Sequence, residues 1–171
     1  MLRALLLALA VLLVAGCARV HKSQFAVYDW EAQRATASDH GAHNLRCAPT
    51  ACLEGVKTVY VLDAPKLTSD DLDRSSVQAH IDPQVSAPIV TARFTSQGEQ
   101  RFEALTKALA HRGAHAGQPQ HFLIVVDDVV RASPYLDYRL NPDGIRAENG
   151  FEFTASSPRE ARKIAKGLRG S

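Results

Sequence analysis

Residues 122–126 read Phe-Leu-Ile-Val-Val, apolar at every position. A strand has a side-chain period of two, so Phe122, Ile124 and Val126 share one face while Leu123 and Val125 share the other. Apolar on both faces, the segment reads as a central strand covered on two sides. Asp127-Asp128 follows at once and predicts a tight turn into Val-Val-Arg-Ala at 129–132.

The remaining elements fall around that strand. Gln24 to Trp30 predicts one short strand with Phe25 and Val27 opposed to Tyr28 and Trp30. Val56–Leu62 is β-branched and reads as a strand; Ser69, Asp70 and Asp71 then suit the capped start of a short helix. Val77–Ile81 alternates as a half-buried strand, and Pro88–Phe94 turns Val90, Ala92 and Phe94 inward. Ser96 and Glu99 form a capping box for a helix with the stripe Phe102, Leu105, Leu109, expected to end near Gly113. After the turn Asn141-Pro142-Asp143-Gly144, period two runs through Ile145, Ala147, Asn149, Phe151 and Phe153, which predicts one long strand. Ser157-Pro158-Arg159-Glu160 is a second capping box, with Pro at the first helical position, ahead of Ala161, Ile164, Ala165 and Leu168.

Strands interleaved with helices of this kind predict an α+β fold: a two-layer sandwich of mostly antiparallel sheet with helices packed on one face. With 171 residues, 46% of them hydrophobic, one such domain is the expectation, and we place it at residues 47–171. A net charge of +2 gives no clustered basic surface of the kind a nucleic-acid binder needs, so no nucleic acid is expected as a partner.

The segment before that domain points to the cell envelope. Met1, Leu2 and Arg3 precede an apolar run from Ala4 to Val14, too short to span a bilayer and suited to a signal peptide over residues 1–16. The ending Val14-Ala15-Gly16-Cys17 resembles the bacterial lipobox, which makes Cys17 the expected site of acylation and the membrane anchor. Ala18 after the cysteine directs such a lipoprotein to the outer membrane, facing the periplasm. Residues 17–46, polar and turn-rich apart from the strand at 24–30, read as the lipidated N-terminus and a tether with a reach on the order of 30 Å.

In that oxidising compartment Cys47 and Cys52 are expected to pair, as a local clip worth about 2 kcal/mol. His40 and His43 extend the two cysteines to H-x2-H-x3-C-x4-C, whose ligand types suit zinc. His111 and His115 are four apart, but Gly113 between them is expected to break the helix that would align them. Asp127 with Asp128, and Asp70 with Asp71, sit where turns and helix starts want aspartate. Arg159, Arg162, Lys163, Lys166 and Arg169 stripe the last helix, suited to a solvated face or to anionic headgroups or an acidic partner. Tyr28, Trp30, Tyr135 and Tyr138 are core, sheet-face or groove aromatics. No G-x-S-x-G, phosphate loop or H-E-x-x-H occurs, so no catalytic residue, metal ligand or cofactor is assigned; the alternative is a metal-dependent or thiol enzyme of the periplasm.

The second half of the chain resembles a known family. Gly98, Phe102, Leu105 and Thr106 on a helix after a strand, then the strand 122–126 with Asp127, Ser133 and Pro134, then Phe153-Thr154 leading to Ala161, are similar in order and spacing to the head of the first periplasmic domain of SecD. The resemblance covers roughly residues 56 to 169. It departs at 107–120, where the connection is longer and richer in His and Gly, and at Gly150, one position early. SecD is a multi-spanning accessory subunit of protein export whose head is thought to contact the emerging polypeptide. The resemblance therefore implies a non-catalytic module that binds polypeptide or an envelope protein partner, without the membrane machinery of the family.

Overall fold

The computed structural model describes residues 22–148 and 150–170. Residues 1–16 and Cys17, read above as signal peptide and acylation site, lie outside the described residues. In chain order the elements are β1 (Phe25–Asp29), α1 (Trp30–Gln33), β2 (Arg34–Ala35), β3 (His43–Cys47), β4 (Thr58–Val61), β5 (Leu67–Thr68), a single 3-10 turn (Ser69–Asp71), β6 (Leu72–Ile81), β7 (Pro88–Phe94), α2 (Ser96–Ala116), β8 (Gln120–Val126), β9 (Val129–Ala132), β10 (Tyr135–Leu136), β11 (Phe151–Thr154) and α3 (Pro158–Arg169).

These form two sheets in an α+β arrangement. The larger has the strand order β2-β4-β3-β9-β8-β1-β5, with β10 on β8, and the smaller is β11-β7-β6. All pairings among the described residues are antiparallel except β3 with β9. β8 is the central strand its composition predicts. Phe122, Ile124 and Val126 enter a core shared with β7, α2 and α3, while Leu123 and Val125 enter a second core with Tyr28, Leu45, Val59, Val61 and Val130. The second face is covered by the sheet's own strands β3 and β4 and the loop after β3, so the larger sheet curls onto itself.

The N-terminal region corrects the expectation of a tether. β1 lies between β8 and β5, pairing Phe25 with Val126 through Asp29 with Phe122, and Phe25 and Val27 are buried in the first core. β2 and β3 extend the same sheet on the other side of β9. Residues 25–47 are thus integral to the fold, because a lone short strand with two apolar faces has nowhere to bury them except inside a sheet. Asp29 caps α1 through Ala32 N and receives both Nη atoms of Arg112, which also donates Nε to Gln120 at 2.7 Å; this pair ties β1 to α2.

Three other boundaries move. α2 runs through Gly113 to a left-handed cap at Gly117, since a β-carbon at Gly113 would sit 3.0 Å from Gln118 O and its bareness serves packing. The N-cap of α2 is Thr95, one residue earlier than the Ser96 box. The expected long strand at 145–153 shortens to β11: Gly150 adopts φ +69°, and its backbone lies so close to Ala92 O that any β-carbon would overlap it. Ala147 is buried in the core outside any strand, and Asn149 lies outside the described residues. Ser69–Asp71 is one 3-10 turn capped by Thr68, with the Asp71 carboxylate accepting from Thr68 N at 2.8 Å.

Candidate functional site

The β8–β9 hairpin places the central residue of the site. Asp127 and Asp128 take positive φ, 53° and 58°, a turn whose twist matches that of the strands it joins. The register then slips: Val125 faces Val130 but Ile124 faces Ala132, leaving Arg131 as the extra residue of a bulge. A bulge re-aims a side chain that would otherwise follow the pleat. Arg131, only 10% exposed, reaches α3 and donates Nη1 to Glu160 Oε1 at 2.8 Å. Its Nε is buried without a hydrogen-bond partner among the described residues.

Glu160 is positioned by the capping sequence. Ser157 caps α3 by accepting from Glu160 N at 3.2 Å, and the Glu160 carboxylate turns back to accept from Ser156 N at 2.8 Å and from the Ser156 hydroxyl. The Ser156 hydroxyl above all, aided by the Arg131 guanidinium and the Ser156 N–H and opposed by burial, lowers its pKa to about 2. A carboxylate held that low is a poor proton acceptor at neutral pH, so Glu160 serves to fix Arg131 and the start of α3.

A clip built on β3 forms the opposite wall. β3 lies parallel to β9, with Ala48 N donating to Val130 O at 3.0 Å, and then leaves the sheet. Cys47 and Cys52 are disulfide-bonded with Cα atoms 5.9 Å apart, and Cys47 N donates to Lys57 O at 2.9 Å, closing the loop. Between this clip and the β11–α3 junction runs a groove of about 750 Å³, with Arg46, Thr50 and Lys57 on one side and Thr154, Ala155 and Ser156 on the other. Two smaller depressions open from it, and all three meet at Arg131. One passes Ser133, Pro134 and Glu152; the other passes Ser23, Arg159 and Lys163. Leu53 and Val56 stand out from the clip, 83% and 39% exposed.

β11 is an edge strand of the smaller sheet, as β6 is on the other side. Ala155 N donates to Pro88 O at 2.8 Å, so in the antiparallel alternation the N–H and C=O groups of Glu152 and Thr154 point away from β7 toward the groove. The arrangement offers outward-pointing backbone groups on β11 and a basic rim from Arg46 and Lys57. It is suited to holding an extended chain.

Other sequence-level candidates are placed elsewhere. The Cys47–Cys52 bond takes both sulfurs out of the H-x2-H-x3-C-x4-C set, so neither is a free thiol. No group of three or more potential metal ligands occurs among the described residues. His111 and His115 share the unbroken α2 and are both exposed, the corrected helix end notwithstanding. Tyr28 is buried and Tyr135 is 65% exposed, away from the groove. The positions that carry the family resemblance divide. Gly98 lets α2 touch the 3-10 turn, where a β-carbon would overlap Asp71 O, and buried Thr106 accepts from Ile145 N at 3.0 Å. Ser133, Pro134 and Thr154 line the grooves. Glu160 is legible in the sequence only as a capping residue and Arg131 only as an arginine interrupting an apolar strand; their pairing has no sequence signal, because the bulge that joins them is a property of the pairing register.

A curled α+β module with the edge strand β11 beside a clipped groove is the class of protein these features define. Residues 48–171 match the family model of the SecDF P1 head subdomain, and the chain belongs to that family. Among solved structures, that of a membrane component SecDF that enhances protein export is 28% identical over 65% of this chain and 43% of its own, with a TM-score of 0.48. SecDF in a super-membrane-facing form is 21% identical over 87% of this chain and 19% of its own; its TM-score of 0.51 reflects a shared fold. The chain spans less than half the length of either. No curated protein sequence matches it. No helix among the described residues is long and apolar enough to cross a membrane.

Proposed function

We propose that this protein is a non-catalytic module of the cell envelope, anchored through an acylated Cys17 and facing the periplasm, that holds extended polypeptide during export or envelope assembly. The groove between the Cys47–Cys52 clip and β11 carries the reading. An incoming segment lying along β11 is placed to pair with the outward groups of Glu152 and Thr154, as strand addition requires. Arg46 and Lys57, on the groove wall, favour segments with acidic side chains. Family membership supports the same reading, since the SecDF structure is that of a component that enhances protein export.

Site-specific photo-crosslinking tests it. Probes replacing Thr50, Lys57 or Thr154 should label many newly exported chains, whereas a probe at Glu103, exposed on α2, should label few. Labelling of one fixed envelope protein from the groove would replace polypeptide capture with a structural-adaptor role.

A further inference from the structure

The outer face of α3 is a second surface, which touches the groove system only where Arg159 and Lys163 line one side depression. Arg159, Arg162, Lys163, Lys166 and Arg169 are all exposed, while Ala161, Ile164, Ala165 and Leu168 are spent on the core. Lys166 and Arg169 suit the negative end of the helix dipole, but Arg159 in the first turn and Arg162 and Lys163 after it do not. Helix stability therefore does not account for them. Arg159, Arg162, Lys163 and Lys166 have no carboxylate partner among the described residues. The carboxylates bordering the face are engaged: Glu160 by Arg131 and Ser156, Asp127 by Gln24 N at 2.9 Å, and Asp73 by Ser75. Arg74 extends the patch, donating to Leu168 O at 3.2 Å.

The N-terminal chain emerges beside this patch. Ser23 is buried with its N–H donating to Gly167 O at 3.1 Å, and both Lys22 and Arg74 lie next to Gly170. Cys17 is five positions before Lys22, a reach of at most about 17 Å. An anchor on that cysteine holds the patch within a short distance of the lipid surface, where screening over about 8 Å at physiological salt leaves attraction effective once the face is apposed.

We propose that the α3 face is the membrane-apposed surface of the protein and docks on anionic phospholipid headgroups, setting the orientation in which the groove is presented. This rests on the anchor at Cys17 for its proximity argument. The test uses the full chain reconstituted on vesicles with roughly 30% phosphatidylglycerol in phosphatidylcholine, or on phosphatidylcholine alone, followed by amine acetylation and mass spectrometry. Lys163 and Lys166 should be acetylated about threefold more slowly on the anionic vesicles, with Lys57 and Lys107 unchanged and the protection lost in about 0.5 M NaCl. The pair Arg159→Gln and Arg162→Gln, both exposed, should restore much of the Lys166 rate. Equal rates on the two vesicles would overturn the proposal, as would protection that appears only with an added acidic envelope protein. Flotation reports separately on the anchor: failure to float with phosphatidylcholine removes the acyl reading, yet salt-sensitive flotation with protected Lys163 on anionic vesicles upholds the docking face.

Discussion

Glu160 shows how one side chain links the fold to solution conditions. Its carboxyl is held at about 2 in the folded chain, against an ordinary 4.5, first by the Ser156 hydroxyl and next by Arg131. A carboxyl with a depressed folded pKa contributes stability that is complete above the unfolded value and is lost as pH falls toward the folded one. The window therefore lies between about pH 5 and pH 2. With the side chain 29% exposed, solvent screening cuts the contribution to about 1–2 kcal/mol. Glu160→Gln should lose that amount at pH 7 in urea unfolding and should show a shallower fall between pH 5 and pH 2 than the parent; parallel pH profiles would remove Glu160 as the cause. At this scale the sequence identified Glu160 as a capping residue but had no means of pairing it with Arg131, since the partner depends on a one-residue slip between β8 and β9.

Among elements, the clip and α3 are legible in different ways. The Ser157 cap, the proline at the start of the helix and the 3.6-residue apolar stripe of α3 are local signals that hold in the structure, although the Glu160 carboxylate returns to Ser156 N rather than to the Ser157 N that the box predicts. The Cys47–Cys52 pairing follows from an even count and short spacing, but its place as a groove wall does not, because the loop turns over the edge only where β3 leaves β9. Replacing both cysteines by serine should lower stability by about 2 kcal/mol. It should also raise amide exchange over residues 48–57 while leaving α3 unchanged; uniform exchange increase across the chain would show instead that the clip supports the whole fold. β11 is shorter than its alternation predicted, and the reason is one glycine packed against Ala92.

For the molecule as a whole, the matched family segment packs against residues that precede it. β1 sits between β8 and β5 and supplies Phe25 and Val27 to the main core, and the Arg112–Asp29 pair ties it to α2. A chain beginning at residue 48 exposes β8 along the edge β1 occupied and leaves Arg112 without its carboxylate. It should lack dispersed NMR signals and cooperative unfolding, whereas a chain beginning at Lys22 should keep both. A folded 48–171 fragment would contradict this account of the core.

What the residues determined unaided is local or compositional: a two-faced central strand at 122–126, capped helices, a cysteine pair, and the α+β class that these jointly require. The strand's doubled hydrophobicity was readable because period and burial act within a few residues. Tertiary structure alone decided that residues 25–47 close the sheet, that Arg131 is turned onto Glu160, and that the basic face of α3 lies beside the emerging N-terminus. Each of those depends on which distant segments meet, and strand register and chain path are set by the summed burial of the whole core, which no short window of sequence contains.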